Sequence, residues 1–328
     1  MERKILQQLK AWKDSADRKP LILLGARQVG KTWVMKHFGQ SAFEHVAYIN
    51  CDAEPMAKEL FAADYNIPRI LLTLQAITGT PIVAGKTLIV LDELQEVERG
   101  LHSLKYFQEN APEYHVMAAG SLLGITLGRG QSFPVGKVDM LHLYPMDFEE
   151  FLMAAGETAL RDLLHQPDWE VLRVLSAKYI GLLRQYYYVG GMPEVVDSFV
   201  SHHDLRAVRV KQSAILDAYR RDISKHTSAV ESMRIGQVLQ SLPSQLAKEN
   251  KKFIYNVLRP GARAADYELA IQWLIDAGLV HKVCRVKDLR MPVKFYEDLS
   301  AFKLILLDCG LLGCMAEAPA GEMLVGDN

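Results

Sequence analysis

Gly25-Ala26-Arg27-Gln28-Val29-Gly30-Lys31-Thr32 decides how this chain is read. The apolar run Leu21-Ile22-Leu23-Leu24 precedes it, and a helical pattern starts near Lys31. Strand, glycine-bearing loop, helix is the setting in which G-x-x-x-x-G-K-T wraps phosphates. The glycines let the backbone curl, so that successive N–H groups face inward as an anion nest. The helix that follows turns its positive end toward the same point. Lys31 brings a compact cation to the β- and γ-phosphates, and the Thr32 hydroxyl is a ligand for Mg²⁺. The expected nucleotide contacts are Gly25, Ala26, Arg27, Gln28, Val29, Gly30, Lys31, Thr32 and the next residue, Trp33.

A second motif lies downstream. Leu88-Ile89-Val90-Leu91-Asp92-Glu93 is a buried strand ending in two acids. A parallel sheet would deliver Asp92 to the edge that holds the phosphate loop, where it can hold Mg²⁺ through water. Glu93 can then polarise the attacking water as general base. His115 to Ser121 puts a hydroxyl beyond another strand end, and Ser121 is expected to sense the γ-phosphate. Charge developing on that phosphate needs a further cation. Arg27, Arg129, Arg184, Arg220 and Arg221 are candidates between which spacing does not choose.

Working outward, residues 46–50, 87–91, 115–119 and 138–144 read as further strands, the last stopped by Pro145. Helical patterns separate them: 56–78, interrupted by Pro68, and 101–109. The alternation predicts an α/β fold, a three-layer P-loop domain on a parallel sheet over 1–150. Residues 147–240 read as mostly helical, broken at Gly190-Gly191-Met192-Pro193.

Composition is that of an ordinary globular chain: 328 residues, 49% hydrophobic, 23% charged. The net charge of −1 provides no global field toward nucleic acid or membrane, so such a partner needs a local patch. The four cysteines have neither C-x-x-C nor zinc spacing, which suits buried reduced thiols and a reducing compartment. The N-terminal segment alternates charges with Ile5, Leu6, Leu9 and Trp12, an amphipathic helix rather than a signal peptide. A cytoplasmic protein with no membrane partner is expected.

One local patch exists. Residues 241–294 hold ten Lys/Arg against five Asp/Glu, about +5 by subtraction. A helix is expected to start at Ser244-Gln245-Leu246-Ala247-Lys248. A longer one should span Ala262 to Ala277 with Leu269, Trp273 and Leu274 on its apolar side, and a strand should follow at 279–286. Helix, turn, helix, strand is the winged-helix order, which can place a helix in the major groove of double-stranded DNA.

Later blocks resemble a bacterial and archaeal AAA-type ATPase family that joins a P-loop domain to a winged-helix region and a C-terminal domain of unknown function. The blocks are Ser132–Val138, Leu143–Phe151, Tyr188–Val196 and Arg221–His226. Where many relatives carry Arg, this chain has Lys137. The family is similar to signal-transducing ATPases that set a Gly-x-Pro motif against the nucleotide, which implies such a contact for Gly191-Met192-Pro193 and a cofactor role for Pro193. The resemblance implies ATP rather than guanine nucleotide, and no Asn-Lys-x-Asp guanine reader is present. Relatives continue into a nuclease-like domain. Phe302–Leu312 matches its lead-in but no Glu-x-Lys block follows, so 295–328 is expected to be the start of a truncated domain. The expected division is 1–150, 151–240, 241–294 and 295–328. The expected function is Mg²⁺-dependent ATP hydrolysis driving a conformational switch, with an oligomer possible. The alternative is a nucleotide-regulated DNA- or partner-binding module with negligible turnover.

Overall fold

The computed structural model describes residues 2–121 and 133–325. They form two compact units, Glu2–Tyr144 and the chain from Pro145 onward.

The first unit runs α1 (Ile5–Asp14), β1 (Leu21–Gly25), α2 (Lys31–Ala42), β2 (His45–Asn50), α3 (Pro55–Ala63), α4 (Ile67–Thr78), β3 (Thr87–Asp92), α5 (Gly100–Asn110), β4 (His115–Ser121) and β5 (Asp139–His142). All strand pairs are parallel, in the order β2-β3-β4-β1-β5. β1 and β3 are buried throughout, which is why they read as unbroken apolar runs. Alternation splits β1 between two layers. Ile22 and Leu24 join the cluster built with α3, α4 and α5, including Phe61, Ile70 and Phe107. On the other side α1 and α2 bury Leu9, Trp12, Val34, Met35 and Phe38. The expected helix over 56–78 is two helices. Asn66 caps α4 by accepting from the Arg69 N–H, and Pro68 lies in the first turn, where its missing N–H costs nothing. Proline therefore starts a helix here rather than interrupting one.

The second unit is mainly helical: α6 (Phe148–Ala154), α7 (Thr158–His165), α8 (Trp169–Val174), α9 (Ser176–Val189), α10 (Pro193–His202), α11 (Leu205–His226), α12 (Ala229–Leu246), α13 (Ala264–Asp276), β6 (Val280–Val286), β7 (Glu297–Leu306), α14 (Cys309–Met315) and α15 (Ala320–Val325). β6 and β7 form an antiparallel hairpin. Two details of the 241–294 reading are corrected. Ser244-Gln245-Leu246 ends α12 rather than opening a helix, because Ser228 and Glu231 cap that helix much earlier. Trp273 and Leu274 are buried in α13 as expected, but Leu269 is 76% exposed.

Asp308 fastens this unit internally. Its buried carboxylate accepts from the Gly191 N–H at 2.6 Å and the Leu311 N–H at 2.8 Å. Gly190 lies at φ +76°, and a Cβ on it would fall on Asp308. A Cβ on Gly191 would fall on the Met146 carbonyl, which also accepts from Tyr186 Oη at 2.9 Å. Met146 N–H in turn donates to Gly191 O at 2.7 Å. Two of the sequence blocks that carry the resemblance, Leu143–Phe151 and Tyr188–Val196, thus meet the Phe302–Leu312 segment at one place in this unit. No helix of the described residues is long and apolar enough to cross a membrane.

Candidate phosphate-binding site

β1 ends at Gly25, where the Leu143 carbonyl lies so close that a Cβ would collide with it. The loop then turns through Gln28 at φ 66° and Gly30 at φ 93° before α2 begins at Lys31. Those two left-handed residues give the loop its curl. The first turn of α2 follows directly, so its free N–H groups come just after the curled loop, with Lys31 opening that turn.

Lys31 is buried, and its Nζ donates to Gly25 O and Ala26 O, each at 2.8 Å. Burial pushes its amine down to about 8, while Glu93 and Asp92 act to hold it up. The Thr32 hydroxyl donates to Asp92 Oδ2 at 2.7 Å. β4 stands between β1 and β3, and all three run parallel, so both strands deliver their C-terminal ends to the same edge. That topology joins two motifs sixty residues apart.

Glu93 follows Asp92 in a left-handed conformation, φ 53°. Non-glycine residues adopt it rarely and at a cost, mostly where the surroundings demand it. Gln95, in the 3₁₀ turn that follows, donates its Nε2 to Glu93 Oε2. The other amide atom of Gln95, Oε1, is buried without a partner among the described residues.

Three contributors escape motif reading. Tyr48 Oη donates to Asp92 Oδ2 at 3.0 Å, and burial, then Asp92, push its phenol well above the usual range. Lys36 Nζ lies 3.7 Å from the Tyr48 ring centroid. Arg3, buried in front of α1, donates to Val29 O at 3.1 Å and to Tyr144 O at 2.7 Å, clamping the loop from behind. A lone arginine among N-terminal charges gives no sequence signal of this. Tyr48, alternating inside a strand, gives only a weak one.

The remaining expected residues are placed as follows. Ala26 and Val29 are buried, and Gln28 is exposed at the loop tip. Trp33 is 42% exposed and stacks on His37, with ring centroids 4.6 Å apart. Ser121 closes β4, but its side chain and Arg129 lie outside the described residues. Pro193 belongs to the second unit, at the first position of α10. Arg184 is in α9, and Arg220 in α11 pairs with Asp217 at 2.8 Å. Cys51 is buried beside the site, its N–H donating to Asp92 O at 2.8 Å, and burial pushes its thiol up to about 12. Cys284, Cys309 and Cys314 are only half-buried, and all four are free thiols.

Residues 17–152 match the model of an AAA domain, and residues 180–322 match that of a domain of unknown function, DUF8612. Curated protein sequences contain no match. Among solved structures, the chain is similar to the Walker-type ATPase PABY2304 of Pyrococcus abyssi. The two share 14% identity over 96% of this chain and 95% of that one, with a TM-score of 0.57. It is also similar to the RuvB Holliday junction branch migration motor of Thermotoga maritima, at 11% identity over 93% and 92% of the chains, TM-score 0.37. The ORC1 protein of Aeropyrum pernix, solved in complex with DNA, is 13% identical over 98% and 93%, TM-score 0.31. The Pyrococcus protein shares the fold; the other two likenesses are too weak to bear on fold or function. Phosphate loop, strand order and domain match agree: residues 17–152 have a P-loop α/β fold and match an AAA domain, joined in this chain to a segment that matches a domain of unknown function.

Proposed function

We propose that the chain binds ATP with Mg²⁺ and hydrolyses it, and that hydrolysis drives a conformational switch. One observation carries this reading: Thr32 Oγ1 and Asp92 Oδ2 lie 2.7 Å apart, with Glu93 next in the chain. A hydroxyl and a carboxylate converging beside a buried lysine are the donor set that a magnesium–phosphate group takes. The curled loop and the α2 N-terminus supply the N–H groups for the phosphates.

Each residue has a task in this reading. Lys31 leaves two loop carbonyls for the phosphates, its charge favoured by Asp92 and Glu93. Thr32 and Asp92 would hold Mg²⁺, and Tyr48 fixes the Asp92 carboxylate through one oxygen. When bound, the metal would neutralise charge developing on the phosphate oxygens. Glu93 takes the proton from water. Gln95 occupies Glu93 Oε2, which leaves Oε1 to act as base. Trp33 would border the nucleotide, and Pro193 and Ser121 stay proposals on the resemblance and the strand end alone.

Phosphate release tests the chemistry. Turnover should need Mg²⁺ and should fall with Asp92→Asn; Mg²⁺-independent turnover would refute the metal role. Small-angle scattering with ATP and with ADP tests the switch, and superimposable profiles would refute it.

A winged-helix reading of the second unit is supported by the order α12, α13, β6, β7. The charge distribution does not favour α13 as a groove-reading helix. Over Ala264–Asp276 it carries Asp266, Glu268 and Asp276 and no Lys or Arg, and Glu268, Leu269 and Gln272 are exposed. An acidic helix opposes the phosphate attraction on which such docking depends.

A further inference from the structure

The positive charge of residues 241–294 that α13 lacks is gathered on the β6–β7 hairpin and the segment beside it. The pairing of β6 with β7 breaks between Cys284 and Arg285. Cys284 faces Phe302 and Arg285 faces Asp298, so Leu299, Ser300 and Ala301 bulge out of register. The bulge opens a cavity of about 410 Å³ lined by Asn250, Lys252, Cys284, Arg285, Phe302 and Lys303, among others. Phe253 N–H donates to Phe302 O at 2.9 Å, which lays residues 250–253 along β7 and brings Lys252 to the cavity. Phe302 is packed from behind by the Phe253 ring, 5.5 Å away and near parallel.

The wall of this cavity is mixed. Val283, Ala301 and Phe302 make it apolar; Lys252, Lys303 and Arg285 make it cationic, and Asn250 adds an amide. Arg285 already donates to Asp298 Oδ2 at 2.6 Å. Lys252 and Lys303 form no ion pair among the described residues. Beyond the cavity the hairpin tip exposes Leu289 (87%), Met291 (86%) and Phe295 (82%). Lys287, Arg290 and Lys294 alternate with them, Arg290 pairing with Asp288 at 3.0 Å.

We propose that the β6–β7 hairpin and its cavity bind single-stranded DNA. A phosphodiester strand with unstacked bases offers alternating anionic and flat apolar groups, and both surfaces here alternate in the same way. Lys252 and Lys303 meet phosphates, the cavity takes a base against its apolar wall, and Phe295 stacks a second base at the tip. A duplex hides its bases and is read by an element in a groove, which the acidic α13 does not suit. Charge complementarity thus favours the open strand. The site contains no residue of the phosphate loop, so it stands or falls separately from ATP hydrolysis.

Fluorescence anisotropy of a labelled oligothymidine of about 16 nucleotides, titrated with the full chain without nucleotide, tests this. Binding should weaken with salt. Lys252→Ala with Lys303→Ala should lower the log–log salt slope by about 1.4, from about 0.7 per phosphate contact. Phe295→Ala should weaken binding about tenfold or more at unchanged slope. Phe295 is solvent-exposed, so its loss leaves the fold intact, and matching melting curves check this for both variants. The proposal is overturned by wild-type affinity and slope in these variants, or by no binding at low salt. Tighter binding of the blunt duplex overturns it too, as does binding to phosphatidylserine vesicles but not to the oligonucleotide.

Discussion

Lys31 and Asp308 are both buried charges held by backbone, one in each unit, and they differ in what surrounds them. Lys31 donates to two carbonyls that have other lone pairs, and it shares its space with Asp92 and Glu93. Its bonds can be exchanged for phosphate oxygens. Asp308 accepts N–H groups that have no other acceptor, from Gly191 and from the start of α14. Burial pushes its carboxyl up, against those same N–H bonds, and no cation among the described residues is one of the influences on it. If the proposed function holds, the contrast teaches how to tell a functional buried charge from a structural one. The first keeps company with other ionisable groups at a strand edge; the second completes a hydrogen-bond inventory.

Substitutions can break that contrast. Lys31→Ala should lower phosphate release by about 10²–10³-fold, with little loss of melting temperature, since burying the cation is itself costly. Asp308→Ala should do the reverse, removing about 2–4 kcal/mol of stability because two buried N–H groups lose their acceptor; denaturant unfolding measures it. Gly191→Ala should cost about 1–3 kcal/mol, because the new methyl meets the Met146 carbonyl. The glycine is thus explained within its own unit. Gln95→Ala should slow turnover about tenfold while leaving ATP affinity unchanged, as expected of a residue that positions Glu93.

Protonation sharpens the same comparison. In the proposed function Lys31 must be charged to hold phosphates, and its free-state value near 8 lies well below that of an exposed lysine. ATP affinity should therefore hold below that value and fall above it, by at most about tenfold per pH unit. Titration calorimetry across that range is the check. An affinity flat to the pH of an ordinary lysine would show that the cation is not desolvated.

The curled loop and its meeting with the Asp92 strand end were legible because the two motifs fix residue type and spacing within a few positions. The parallel sheet was legible for a similar reason: fully buried strands read as apolar runs. Arg3, Tyr48 and Asp308 were not, since each acts on a partner 26 to 117 residues away that no local pattern announces. Phe302–Leu312 shows the same limit: β7 pairs with β6 and Asp308 ties α14 to Gly191, partners that the segment's own sequence does not name. Leu269 misled for a simpler reason: helical spacing puts it beside Trp273, but exposed apolar residues are common at the rim of a buried stripe.

Glu93→Gln is the most direct test of the site as a hydrolytic one. The substitution keeps shape and hydrogen bonding and removes the base. Single-turnover phosphate release should fall by about 10²–10⁴-fold, with ATP bound as tightly as before. Unchanged turnover would contradict the assignment of Glu93, and with it the reading of this strand end as the place where water is activated.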